Sequence, residues 1–399
     1  MESQKIIYAD NAATSPMSHA AKTAMIRYMD TEYGNPSSLH TLGQRAAEAL
    51  HDARETMARH LGCTSREIYF TSGGSESDNQ AILSAASAGK AKGKKHIVST
   101  AFEHHAVLHV LHKLKNEGYE VTLLDVHDNG VITVQDVRAA LREDTCLVTV
   151  MYANNEIGTI QPVAEIGALC REKNILFHTD AVQAAGHVPI DVAAQNIDML
   201  SLSSHKFHGP KGVGALYVKS GVRLTSLITG GAQERGKRAG TENIPAIMGM
   251  AAAFDDACTH MVEHSGKTTR LRDRLIDGLW TISHSALNGD RVRRLPCNVS
   301  FCFEGVEGEA LLLLLDQQGI CASSGSACTS GSLEPSHVLL AIGRPHEVAH
   351  GSLRLTLSAF NTEEDVDHII AAVPKVVERL RNMSPLWKDL QEGKKSHGI

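Results

Sequence analysis

The sequence predicts an α/β protein with a mostly parallel sheet wrapped by helices, joined to a smaller α+β unit. Three observations carry this expectation. Short β-rich runs alternate with helical stretches through most of the chain. That rhythm weakens after position 245, where helical text dominates and only isolated strand candidates remain. The most polar motifs fall where strand-like runs end, which is where open α/β sheets bind ligands.

In chain order, "REIYFTS" reads as a strand before the helical "ESDNQAILSAASAG", and "KHIVST" as a strand before "EHHAVLHVLHKLKNEG". "CLVTVMYA" leads to the helical "VAEIGALCREKN", and "ILFHTDA", "IDMLSLSS" and "GVGALYV" follow as further strands. From "NIPAIMGMAAAFDDACTHM" to "LRDRLIDGLW" the text is helical, and "CNVSFCF" and "SLRLTLS" are late strand candidates. We place a large domain at residues 15–260. A smaller α+β domain takes residues 1–14 and 261–399. The terminal "QEGKKSHGI" reads as a frayed polar tail.

Composition narrows the function classes. The 399 residues are 42% hydrophobic and 21% charged, which suits a soluble globular chain of this length. The net charge of -6, without long runs of one sign, does not suggest a nucleic-acid partner. No apolar run approaches the roughly 18 residues of a membrane span, and the first residues do not read as a signal peptide. The eight cysteines are dispersed and form no CxxC pair, so they read as thiols in a cytoplasmic enzyme. Neither HExxH nor paired Cys/His spacing occurs among the 22 histidines, so no metal site is expected.

Three motifs converge on one chemistry. "HTDAVQ" puts Asp180 just after a strand and Gln183 three residues on; "SLSSHKFHGPKGVG" puts Ser203, His205 and Lys206 just after the next. Taken alone, Asp180 and Lys206 equally suit a surface ion pair. "TSGGSESDN" sits at a strand-to-helix turn, where Gly73 and Gly74 allow close approach and the helix start offers N–H groups to an anion. It also reads as a plain capped start with Ser75 or Ser77 as cap. Together the pieces fit pyridoxal 5′-phosphate. Its phosphate goes to the glycine turn, Ser203 and His205, its ring nitrogen to Asp180, and its carbonyl to Lys206 as a Schiff base.

Longer motifs run almost end to end: "YADNAATSP", "YGNPSSLH", "TSGGSESDN", "EHHAVL", "ANNEIGT", "HTDAVQ", "SSHKFHGPKG", "ERGKRAGTEN", "SSGSACTSG" and "SLRLTLS". With them the chain resembles the cysteine desulfurases among the fold-type I pyridoxal phosphate enzymes, in the class V aminotransferase group. "SSGSACTSGSLEPSHV" and "LRNMSPLW" are most similar to the nitrogen-fixation branch. The resemblance implies a large domain with a mostly parallel seven-stranded sheet, and a small domain carrying the catalytic cysteine loop. It implies conversion of L-cysteine to L-alanine, with sulfur passed as a Cys328 persulfide to an acceptor, such as an iron–sulfur scaffold. The alternatives are a selenocysteine lyase or another pyridoxal phosphate enzyme of the same fold.

The implied roles follow by position. Lys206 would hold the cofactor and move the α-proton. Asp180 would bind the ring nitrogen, Gln183 the phenolic oxygen, and His104 would stack on the ring. Gly74, Ser75, Ser203 and His205 would hold the phosphate, joined by Thr241 from the second subunit of a homodimer. Asn155 and Arg354 would orient the substrate, Arg354 pairing with its carboxylate, with Asn35 assisting. Cys328 would be the nucleophile. Gly325, Gly331 and the serines around it keep bulk low, which suits a thiol that must travel between a buried cofactor and a partner.

Overall fold

The structure, a computed structural model, describes residues 5–324, 335–394 and 398–399. Its strands are β1 (Ile7–Tyr8), β2 (Ile68–Thr71), β3 (His96–Thr100), β4 (Glu120–Leu124), β5 (Thr145–Thr149), β6 (Leu176–Asp180), β7 (Met199–Ser203), β8 (Gly214–Val218), β9 (Ser285–Leu287), β10 (Asn298–Phe303), β11 (Ile320–Cys321) and β12 (Ser352–Thr356). A seven-stranded sheet has the order β2-β8-β7-β6-β5-β3-β4. β8 runs antiparallel to both of its neighbours, and the remaining pairs are parallel. The mostly parallel sheet expected from the sequence is therefore present.

Burial on both faces explains the strand sequences. β3, β5, β7 and β8 are buried at every position, so they read as continuous runs rather than alternating ones. Helices cover the sheet, the helix Gly74–Lys90 buried over most of its circumference and others through one apolar stripe. In the helix His105–Asn116 the buried residues are Val107, Val110, Leu111 and Leu114, the spacing of a single face.

A second apolar core lies around the antiparallel sheet β12-β10-β9. Leu271, Leu275, Ile276 and Leu279 of the helix Met261–Trp280 pack there, as do Val366, Ile369 and Val373 of the helix Glu363–Met383. The division drawn at residue 260 falls at His260, between the helices Ile244–Thr259 and Met261–Trp280. The N-terminal segment threads into this part: Ile7 pairs with Ile320, Ala9 N–H donates to Cys321 O at 2.9 Å, and Asn11 N–H donates to Thr356 O at 3.3 Å. Residues 10–14 are thereby held beside the C-terminal ends of β6 and β7.

Candidate active site

Asp180 ends β6 and Ser203 ends β7, so the parallel sheet delivers both to one edge. Lys206 follows in the short helix Ser204–Lys206. These residues border a cavity of about 300 Å³ together with Gly74, Ser75, His104, Asn155, Gln183, His205 and Arg354. A larger cavity of about 400 Å³ opens behind Lys206, beside His187 and His208, but neither the Lys206 side chain nor Asp180 lines it. The chemistry therefore belongs to the smaller one.

Lys206 Nζ donates to Ala12 O at 2.5 Å and to Ala13 O at 2.9 Å. Gln183 Nε2 donates to the same Ala12 O at 3.0 Å. Asp180 is buried, and desolvation pushes its pKa up to about 6, opposed by the Val182 N–H it accepts at 2.9 Å and by Lys206. It is thus mostly ionised at neutral pH and faces the lysine across the cavity floor. The surface ion pair is excluded as a description, since Asp180 is 5% exposed.

The helix Gly74–Lys90 begins with Gly73 as N-cap and no capping side chain. This corrects the reading of Ser75 or Ser77 as cap. Ser77 Oγ turns back to Thr71 Oγ1 at 2.8 Å and Ala215 O at 3.2 Å. Glu76 accepts from Ser72 N–H at 2.8 Å and pairs with Arg238 at 3.0 Å. The first-turn N–H groups thus keep their positive end for an anion. Gly74 itself is required by space, because a Cβ there would lie 2.6 Å from Val182 Cγ2. His205 Nδ1 lies 3.2 Å from Thr14 Oγ1, and burial pushes its pKa down to about 4.

His104 is the N-cap of the helix His105–Asn116, and its Nδ1 accepts from Ala106 N–H at 3.1 Å. Nδ1 therefore carries no proton, and the neutral ring holds its hydrogen on Nε2. Burial, with Lys206 and the neighbouring His105 and His109, lowers its pKa to about 4. His104 enters the site as a neutral ring with one N–H to give.

Arg354 lies in β12 and is buried at 2% exposure, which removes the surface-charge reading. It donates to Asn155 O at 3.2 Å and to Asp10 Oδ1 at 3.0 Å, while its buried Nε has no partner among the described residues. A guanidinium with a free N–H bordering a cavity suits a carboxylate.

Two predicted residues are not brought to the cavity. Asn35 is exposed, its Oδ1 accepting from Ser37 N–H at 2.9 Å, and Thr241 is exposed between two helices. Cys328, with Gly325 and Gly331, lies outside the described residues. The described flanks adjoin the site. Ser323 and Arg354 exchange backbone hydrogen bonds of 3.1 and 2.6 Å, and Ser336 Oγ donates to the Glu156 carboxylate. Burial raises the thiol pKa of Cys63, Cys170 and Cys258 to about 12 and of Cys146, Cys297 and Cys302 to about 11, so these are protonated at neutral pH.

Sequence reasoning missed several groups. Asp78 also lines the cavity. Glu103 is fully buried, accepting from Thr100 Oγ1 at 2.6 Å and Met151 N–H at 3.0 Å, and desolvation raises its pKa to about 8. Asp10 and the Ala12 and Ala13 carbonyls hold Arg354 and Lys206. Their signal was only membership of "TSGGSESDN", "EHHAVL" and "YADNAATSP", and the two backbone carbonyls carry no sequence mark of their own.

An anion-binding helix start, an ionised carboxylate and an amine on one cavity fit pyridoxal phosphate, and the free Arg354 Nε fits the carboxylate of an amino acid. Comparison with known proteins agrees. The model of the family described as aminotransferase class-V matches residues 7–369. Cysteine desulfurase IscS of Clostridium botulinum is 53% identical over 393 residues, covering 98% of this chain and 99% of the relative. A solved structure titled as a NifS-like protein superposes with a TM-score of 0.88 at 36% identity, covering 94% of this chain and 100% of that one. Another, titled SspA in complex with cysteine, gives a TM-score of 0.78 at 36% identity, covering 89% of this chain and 99% of that one.

Proposed function

The chain belongs to the aminotransferase class-V family, and from that premise we propose that it is a pyridoxal 5′-phosphate-dependent cysteine desulfurase, converting L-cysteine to L-alanine. The observation that carries the reading is the meeting of Lys206, Asp180, His104 and Arg354 on one cavity. Bound there, the cofactor supplies an electron sink for the α-carbon of an amino acid.

The chain's own residues do the rest. Gly74, Ser75, Ser203 and His205 hold the phosphate at the open helix start, with Thr241 from a second subunit. Asp180 would hold the ring nitrogen as a carboxylate, Gln183 the phenolic oxygen, and His104 would stack on the ring with its Nε2–H available. Arg354 takes the substrate carboxylate, positioned by Asp10 and assisted by Asn155 and Asn35. Lys206 would hold the cofactor, and its amine would take the α-proton of the substrate.

The Cys328 thiolate attacks the substrate sulfur. A sulfur–sulfur bond forms, the carbon–sulfur bond breaks, and the carbon fragment gains one proton at Cβ, regains at Cα the proton that Lys206 took, and leaves as alanine. Cys328 keeps the sulfur as a persulfide and passes it to an acceptor, which we take to be an iron–sulfur scaffold. We place the protein in the cytoplasm, as a homodimer, and in the nitrogen-fixation branch. The exposed Ile26, Met29 and Tyr33 support a subunit contact, and the two C-terminal motifs support the branch.

The test is to incubate purified protein with L-cysteine, with and without a reductant, and to measure alanine and sulfide. Equal yields from the wild type, with neither above background from Cys328→Ala, support the scheme. Unchanged sulfide release from the variant rules out Cys328 as the sulfur carrier.

A further inference from the structure

The site holds one acidic group too many. Asp180 supplies the carboxylate that the ring nitrogen requires, yet Asp78 of the helix Gly74–Lys90 borders the same cavity at 1% exposure. Its Oδ1 has no hydrogen-bond partner among the described residues.

The groups facing Asp78 do not neutralise a charge. From β6 come Asp180 and His178, from β7 Ser201, and from the turn after β3 Glu103. Among the described residues, His178 is the basic group within ion-pair distance, at 3.6 Å from Oδ1. That imidazole is already committed: Nδ1 meets Thr149 Oγ1 at 2.8 Å, and Nε2 meets Ser201 Oγ at 3.0 Å. Complete burial keeps it neutral, with a pKa near 3. Lys206 Nζ donates to Ala12 O and Ala13 O, and Arg354 pairs with Asp10. An ionised carboxylate here would be buried without a counter-charge, beside a second one.

We propose that Asp78 is a protonated carboxylic acid at neutral pH and acts as a positioning residue, a neutral neighbour that leaves Asp180 free to carry the one negative charge facing the ring nitrogen. The inference rests on the pyridoxal phosphate reading of the cavity. Two adjacent carboxyl groups are driven apart in acidity by their surroundings, as in other paired-acid sites. Asp180 is helped to ionise by the Val182 N–H and by Lys206. For Asp78, burial, Asp180 and Glu103 all favour the proton, against a hydrogen bond with Ser201.

Infrared difference spectra at pH 7 test the assignment in the cofactor-loaded protein. Beside the band of the protonated Glu103, we expect a second carboxylic-acid carbonyl band in the wild type that vanishes in Asp78→Asn and persists in Asp180→Asn. Unfolding followed against pH gives a second readout, since a buried acid loses stability as the pH rises through the carboxylate range. Asp78→Asn should lose less than the wild type over that range. A band lost in Asp180→Asn instead, or in neither variant, overturns the proposal, as does an unchanged pH slope. Where Asp78→Asn does not fold, Asp78→Ser, also neutral and smaller, takes its place. A colourless wild type defeats the cofactor reading, while the infrared band still decides the state of Asp78.

Discussion

Arg354 and Lys206 share a device: the buried guanidinium and the half-buried amine are both steered by the N-terminal segment. Asp10 grips one and the Ala12 and Ala13 carbonyls receive the other. Replacing Arg354 by lysine removes the fork while keeping the charge. We expect the KM for L-cysteine to rise by about 10- to 100-fold, from the loss of a charge-assisted bond, with the yellow colour retained. Steady-state kinetics beside an absorption spectrum check this. Lys206→Ala should lower kcat by about 100- to 10,000-fold or more, because it removes the amine proposed to transfer the α-proton. Borohydride treatment should then leave no cofactor on the chain. The residue scale is also where the sequence was least legible. Asp180 and Lys206 stood out by following strand-like text. Asp78 and Glu103 did not, because an acid at a helix start ordinarily faces water, and only tertiary neighbours bury these two.

At the scale of elements, the turn between β2 and the helix Gly74–Lys90 is set by contact with Val182. Gly74→Ala should displace the helix start and weaken cofactor binding by about tenfold, with an overpacking cost of about 1–3 kcal/mol. The double variant Gly74→Ala/Val182→Ala should recover much of both losses, measured by cofactor titration and thermal unfolding. The strands that made this turn legible, β2, β3 and β5 to β8, are apolar or β-branched runs bounded by clear helix starts. β4 went unread because it is an edge strand, with Glu120 and Leu123 exposed and no clean alternation. β1, β9 and β11 are two or three residues long. β1 and β11 exist through each other, more than 300 positions apart, and β9 through β10, which no local pattern records.

Across the whole molecule, burial sets opposing pH limits on stability. His178 is held near pKa 3, and His104, His187 and His205 near 4, below the ordinary histidine value. Their contribution is present above pH 6.5 and is lost as the pH falls towards 4. Glu103 is raised to about 8 and Glu156 to about 7, so their contribution is full below pH 4.5 and is lost as the pH rises through those values. Urea unfolding of the cofactor-free protein should therefore show lower stability at pH 5 and at pH 8.5 than between them. Glu103→Gln should flatten the alkaline side by more than about 1 kcal/mol, one pKa unit being worth about 1.4 kcal/mol. The threading of residues 7–14 between β11 and β12 has a consequence for synthesis. The segment leaves the ribosome more than 300 residues ahead of its partners Ile320 and Thr356. At typical translation rates it waits on the order of 15–60 s as an unpaired strand. The Lys206 pocket is thus completed only after β12 has emerged, so a nascent chain truncated before it would carry Lys206 without Asp10, Ala12 and Ala13 in place.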